Sequence, residues 1–213
     1  MSRLCDLLDM ENVCEVKISD RLTALFESHG YHAQFGMTMG YYGPYIWKET
    51  VPTTYEVELP EGKALYQVNI LRGFILRSYM GYLTFDMFGT KGWASNDGTI
   101  NCIEGSYDFD SDAFLVSLLK HEAQHVEDKK RYPDISVTDL EYRAKLVELC
   151  YSNDPGLLPK FLAEADDSRA DNSHAMASCK IRDGFQGFLE LSAEEIKERA
   201  LKLFFEDTQR RKG

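Results

Sequence analysis

The sequence predicts an α+β fold, with an antiparallel or mixed sheet in the N-terminal part and helices in the C-terminal part. Three observations predict it. Between residues 53 and 104 apolar and polar residues alternate in runs broken by turn residues, the period of a half-buried strand. From Asp112 onward apolar residues recur at three- and four-residue spacing, the period of a helix packed on one face. Helix-start chemistry at Ser111, Ser136, Asp154 and Ser192 falls in that second half. A chain of 213 residues accommodates both parts in one domain, mostly β over 1–110 and helical over 111–213.

Taken in order, residues 4–8 are expected to form a short helix. Ser19 is the expected N-cap of a helix over 20–29, with Leu22, Leu25 and Phe26 on its apolar face and Gly30 as its stop. Glycines at 36, 40 and 43 and prolines at 44 and 52 exclude a long helix over 31–52. Tyr41, Tyr42, Tyr45 and Trp47 are expected to plug the edge of a core, with lining a cleft as the alternative. Strands over 53–59 and 65–71 are joined by the turn Pro60-Glu61-Gly62. Residues 73–82 fit helix or strand, the alternation over 82–88 predicts a strand, 89–98 reads as loop, and 99–104 as a short strand. Met37, Met39, Met80 and Met87 are expected to fill the core.

The helices follow. Asp110 or Ser111 caps one over 112–131, with Phe114, Leu115, Leu118, Leu119 and Val126 as its buried stripe and Tyr132-Pro133-Asp134 as its end. Ser136, with Asp139 three residues on, starts another that runs to Tyr151. Asp154-Pro155 opens a helix over 155–165. After the polar stretch 166–174, helix resumes over 175–181. A capping box of Ser192 and Glu195 opens the last helix, which ends in three basic residues that complement its dipole.

A net charge of −11 argues against nucleic acid or an anionic membrane as the main partner. Five scattered cysteines without a C-x-x-C pair read as reduced thiols. No run approaches the ~18 apolar residues of a membrane span, and the N-terminal residues lack the pattern of a secretory leader. The expectation is a cytoplasmic protein.

Chemistry concentrates at His121-Glu122-Ala123-Gln124-His125. Residues four apart share one helix face, so both imidazoles can reach one metal ion. Glu122 lies about 100° further round the helix than His121, at the rim where a metal-bound water would sit. This H-E-x-x-H pattern is that of zinc peptidases. A catalytic zinc takes three protein ligands and keeps one position open. After His125 the next histidine is His174, far beyond the spacing of a three-histidine site. Glu141, on the next helix after a short loop, is the candidate third ligand, and Glu148, two turns on, the runner-up. Ala144 is small enough to let the two helices approach closely.

Here the sequence resembles the gluzincin branch of the zincin metallopeptidases, on His121-Glu122-x-x-His125 and then Glu141-Tyr142-Arg143-Ala144. The matching region covers residues 99–150. Two departures are visible: a shorter gap to Glu141 than in many members, and Leu140-Glu141 where an Asn-Glu pair is familiar. The resemblance implies one Zn²⁺ held by His121, His125 and Glu141, a peptide or protein substrate, and a last strand (99–104) edging the cleft. It implies a water activated by the metal, with Glu122 as general base. His174, Tyr142 or a tyrosine from 41–45 is the expected oxyanion donor. Arg143 and Asp171 are expected in structural ion pairs, with orientation of the ligands as the alternative. The competing expectation is a non-catalytic domain that keeps a structural metal or binds a partner protein.

Overall fold

The computed structural model describes residues 15–38, 40–95, 98–186 and 191–212. The helix expected over 4–8 lies outside them, as do Met39, Cys5 and Cys14. The fold is α+β. The chain divides into two compact units: Met1–Thr53, Gln67–Ser95 and Thr99–Ser106 form the first, and Thr54–Tyr66, Asn96–Gly98 and Tyr107–Gly213 the second.

In the first unit, helix α1 (Glu15–Ser28) is already helical at Glu15, so Ser19 lies inside it rather than capping it. Ile18, buried on this early turn, gives the extension its packing. Gly30 ends the region with φ 78, the left-handed backbone that a residue without Cβ adopts freely. The aromatic stretch then pairs with itself. β1 (His32–Gln34) is antiparallel to β4 (Tyr45–Trp47), and β2 (Met37–Thr38) to β3 (Tyr41–Tyr42). Tyr45 and Trp47 are buried with Leu71, Trp93 and Ile103, which is the core-plugging role expected of them.

β5 (Glu49–Leu59) and β6 (Gly62–Arg72) are longer than the expected strands and run through both units. The four-stranded sheet has the order β5-β6-β8-β7, with β7 at Gly92–Ala94 and β8 at Ile100–Ile103. β8 runs parallel to β6 and antiparallel to β7, so the sheet is mixed.

The strand expected over 82–88 does not form. Instead α2 (Tyr79–Thr84) occupies the ambiguous stretch, capped by Ser78 and closed by Phe85 in the left-handed region. The alternation there does not mark burial: Tyr82, Phe85 and Met87 are all exposed. Met37 and Met80 are exposed as well, so neither they nor Met87 fill the core.

The second unit is built on helices. The first, α3, begins at Asp112–Phe114, runs as a π-helix over Leu115–Lys120 and continues as α-helix over His121–Arg131. Ser111 caps it by accepting the Phe114 amide. Phe114 anchors its start inside a ring cluster with Tyr55, Tyr107 and Phe109. Tyr66 donates to the Ala123 carbonyl and to Glu127, and Lys120 to the Glu58 carbonyl, tying α3 to the distal half of the β5–β6 hairpin. Gly98 passes so close to the helix that a Cβ there would lie 2.9 Å from Val126.

α4 (Val137–Tyr151) starts and ends where its capping residues predict, with Ser136 accepting the Asp139 amide. Its residues 140–149 are all buried. α5 (Leu157–Glu164) starts two residues later than expected, because Asp154 accepts the Gly156 amide and forms a turn of its own. α6 (Ser173–Gly184) starts earlier than expected, capped by Asn172. α7 (Ala193–Lys212) opens with the reciprocal Ser192–Glu195 bonds of a capping box. No helix among the described residues is long and apolar enough to cross a membrane.

Candidate metal centre

α4 is buried on all sides over residues 140–149 and yet carries four charged residues there, each of which needs a partner. Arg143, fully buried, donates to both carboxylate oxygens of Asp128 at 2.9 Å and to Asp207 and Thr208 at 3.0 Å. Lys145 donates to Glu164 at 2.6 Å, and Ser178 of α6 bonds the same oxygen at 3.0 Å. The remaining two, Glu141 and Glu148, face the motif helix.

α3 and α4 run antiparallel, with His121 opposite Glu148 and His125 opposite Glu141. The His121 Nδ1 donates to Glu148 Oε1 at 2.7 Å. That bond leaves Nε2 as the free ring nitrogen of the neutral form. Nε2 lies 3.4 Å from Glu141 Oε2, and the His125 Nε2 lies 3.5 Å from Glu141 Oε1. The two rings stand nearly perpendicular, at 87°, with centroids 4.6 Å apart. One donor atom from each of His121, His125 and Glu141 lies within 4.8 Å of the others, so this group can hold a metal ion.

The spacing fits a cation better than direct bonding. A nitrogen–carboxylate hydrogen bond of opposite charges spans about 2.7–2.9 Å. Ligands about 2.0–2.1 Å from a tetrahedral zinc lie roughly 3.4 Å from one another. The contacts of Glu141 with His121 and His125 are of the second kind. Glu141 Oε2 and His125 Nδ1 are moreover buried without a hydrogen-bond partner, a cost that a bound cation removes for the carboxylate. The donor set of two imidazoles and one carboxylate suits zinc and other first-row divalent ions alike.

Electrostatics say the same. Burial would raise the Glu141 pKa, but His121 and His125 outweigh it and hold the carboxyl well below its ordinary range. Burial would lower the His121 pKa, but the nearby carboxylates of Glu141 and Glu148 outweigh it and push it up to about 10. Without a metal, a proton on the ring supplies positive charge that the surrounding carboxylates demand.

Other predicted residues fall on both sides of this boundary. Glu122 is half-buried beside the pair and makes no hydrogen bond or ion pair with any described residue. His174, in the first turn of α6, brings Nδ1 to 3.1 Å from Glu141 Oε2, out of line for a hydrogen bond, and its side chain is 46% exposed. Tyr142 points elsewhere: it lines a cavity of about 630 Å³ with Lys180, Leu203, Asp207 and Arg210, which removes it as an oxyanion donor. Tyr41, Tyr42 and Tyr45 belong to the first unit, where the Tyr45 hydroxyl donates to the Tyr41 carbonyl. Arg143 takes the ion-pairing role expected of it, and Asp171 is exposed in the turn before α6. Glu148 contacts an imidazole rather than joining the donor group. Its position two turns from Glu141 was the available signal for a shared face. Lys145, Glu164 and Ser178 carry no sequence signal for their contact, because three helices must pack before it exists.

A scan against protein-family models and searches of curated proteins and solved structures gave no match. Function must be read from the site itself.

Proposed function

We propose that this chain is a zinc-dependent metallopeptidase, or a closely related amide hydrolase, with a zincin-like arrangement of its motif helix and third ligand. The observation that carries the reading is the convergence of His121, His125 and Glu141 beside a carboxylate, Glu122, that has no structural employment. A helix that only needed to pack would not bury this set with a carboxylate oxygen unpaired.

His121, His125 and Glu141 would hold the ion, and Glu148 orients His121 through Nδ1. When bound, zinc supplies Lewis acidity, polarising a carbonyl and lowering the pKa of water from 15.7 to about 7. Glu122 accepts the proton of the attacking water on its carboxylate and returns it to the leaving amine. His174, partly exposed next to Glu141, would donate to the developing oxyanion. The substrate class is a peptide or protein, since the general base and Lewis acid together suit an unactivated amide.

The decisive experiment compares Glu122→Gln with the unaltered protein on a fluorogenic peptide library. The variant is expected to lose hydrolysis by about 10²–10⁴-fold, the usual worth of a general base, while binding zinc as before. Undiminished hydrolysis by the variant would overturn the proposal.

A further inference from the structure

The metal reading leaves one conspicuous region unused, the segment around α2 in the first unit. Between residues 75 and 88 it exposes Ile75, Tyr79, Tyr82, Leu83, Phe85 and Met87, with Phe85 91% exposed. A contiguous display of this kind is uncommon on a soluble surface and marks a contact site. The display is built rather than loose. Ser78 caps α2 through the Gly81 amide, the Asp86 amide bonds the Gly81 carbonyl at 2.8 Å, and Thr84 accepts the Phe88 amide. Phe85 and Asp86 are held at φ 51 and 60, an unfavourable backbone for side chains of this size. The chain thus spends conformational energy to turn Phe85 outward.

Within the segment lies a cavity of about 420 Å³, lined by Leu76, Arg77, Tyr82, Leu83, Phe85 and Asp86. That size is in the range that accepts an apolar side chain or small ligand. Arg77 is half-buried there and makes no hydrogen bond or ion pair with any described residue. A guanidinium among apolar groups with its donors unused is matched by a carboxylate, which it binds through two parallel hydrogen bonds.

The charge distribution selects the partner. Residues 73–92 hold Arg77, Lys91 and only one acid, Asp86, on a chain of net charge −11. An anionic bilayer would attract this lobe weakly and repel the rest of the protein. A second copy docked lobe to lobe would set Arg77 and Lys91 against the same two cations, with a single acid on each side. We infer that the α2 lobe docks an amphipathic, acidic segment of a partner protein, which seats an apolar side chain in the cavity and a carboxylate on Arg77. Tyrosine and arginine are the residues that dominate such contacts, and Met80 and Met87 adapt to the partner's shape. The inference does not rest on the metal centre.

Fluorescence anisotropy on the full chain tests it, with labelled amphipathic helices of leucine with glutamate and of leucine with glutamine as probes. The glutamate peptide is expected to bind at least about tenfold more tightly than the glutamine peptide. Arg77→Gln should remove that preference, and Phe85→Ser should weaken both peptides about tenfold, as loss of an anchor residue does. Circular dichroism and zinc content of both variants should match the unaltered chain. Equal affinity for the two peptides, no binding, or binding insensitive to both substitutions would overturn the inference. So would flotation with phosphatidylcholine or phosphatidylserine vesicles that Phe85→Ser abolishes, which would identify a lipid surface instead. Self-association that Phe85→Ser abolishes would likewise overturn it in favour of a second copy.

Discussion

On one side of α4 the Arg143 guanidinium reaches Asp128 at 2.9 Å and Asp207 and Thr208 at 3.0 Å. Two residues away, on another side of the same helix, Glu141 reaches the His121 and His125 imidazoles only at 3.4 and 3.5 Å, and Oε2 is left without a hydrogen bond. Both clusters are taken out of water and both join side chains of α3 and α4, the first with Asp207 and Thr208 of α7 as well. The first has contracted to ordinary charge-assisted hydrogen bonds and is closed. The second stands apart at the distances of ligands round a cation. Burial alone therefore does not distinguish a structural charge cluster from a metal site; the satisfaction and spacing of its polar atoms do.

The comparison breaks most visibly at Asp128. Asp128→Ala leaves Arg143 buried with its main partner gone and is expected to cost about 3–5 kcal/mol of stability, read by urea denaturation. Zinc affinity of the folded fraction should stay unchanged. A small loss of stability would mean that the Arg143 cluster is not closed in the sense described. Glu148→Gln probes the other cluster. It keeps an acceptor on His121 but removes the charge, and zinc affinity measured by calorimetry should fall about 10–100-fold. Stability of the zinc-free protein should change far less than in Asp128→Ala. The reverse pattern would exchange the roles of the two clusters.

These residues were legible in the sequence to different depths. The His121–His125 pair, Glu122 and Glu141 follow from helical spacing and a short connecting loop, and the ends of α3 and α4 follow from Ser111, Ser136 and Tyr132. Glu148 was visible as a residue on the right face, but its contact with Nδ1 depends on the separation of two packed helices. The π-helical turn Leu115–Lys120 was not visible, because a shift in backbone hydrogen bonding leaves the apolar spacing unchanged. The segment 82–88 misled for a different reason. Alternating apolar residues mark a strand only when one face is buried, and here they point into solvent. The parallel pairing of β8 with β6 likewise depends on a crossover that strand patterns do not specify.

The smallest expected effect lies at the margin of the closed cluster. Burial opposes ionisation of Asp139, but Lys180, the Ser136 contact and Arg211 outweigh it and hold its pKa down at about 2. A depressed carboxylate stabilises the fold fully above its unfolded pKa of about 3.9 and loses that contribution as pH falls through the folded value. The stability difference between the unaltered protein and Asp139→Asn should therefore be constant from pH 7 to about 5 and shrink towards pH 2. A difference that grows on acidification would contradict this assignment.

The central claim is that the open cluster is a cation site. Calorimetric titration of chelator-treated protein with Zn²⁺, repeated on His125→Ala, tests it directly. One equivalent bound by the unaltered chain, and a loss of that binding in the variant with its fold intact, is the expected result. No stoichiometric binding, or binding that His125→Ala leaves untouched, would contradict it.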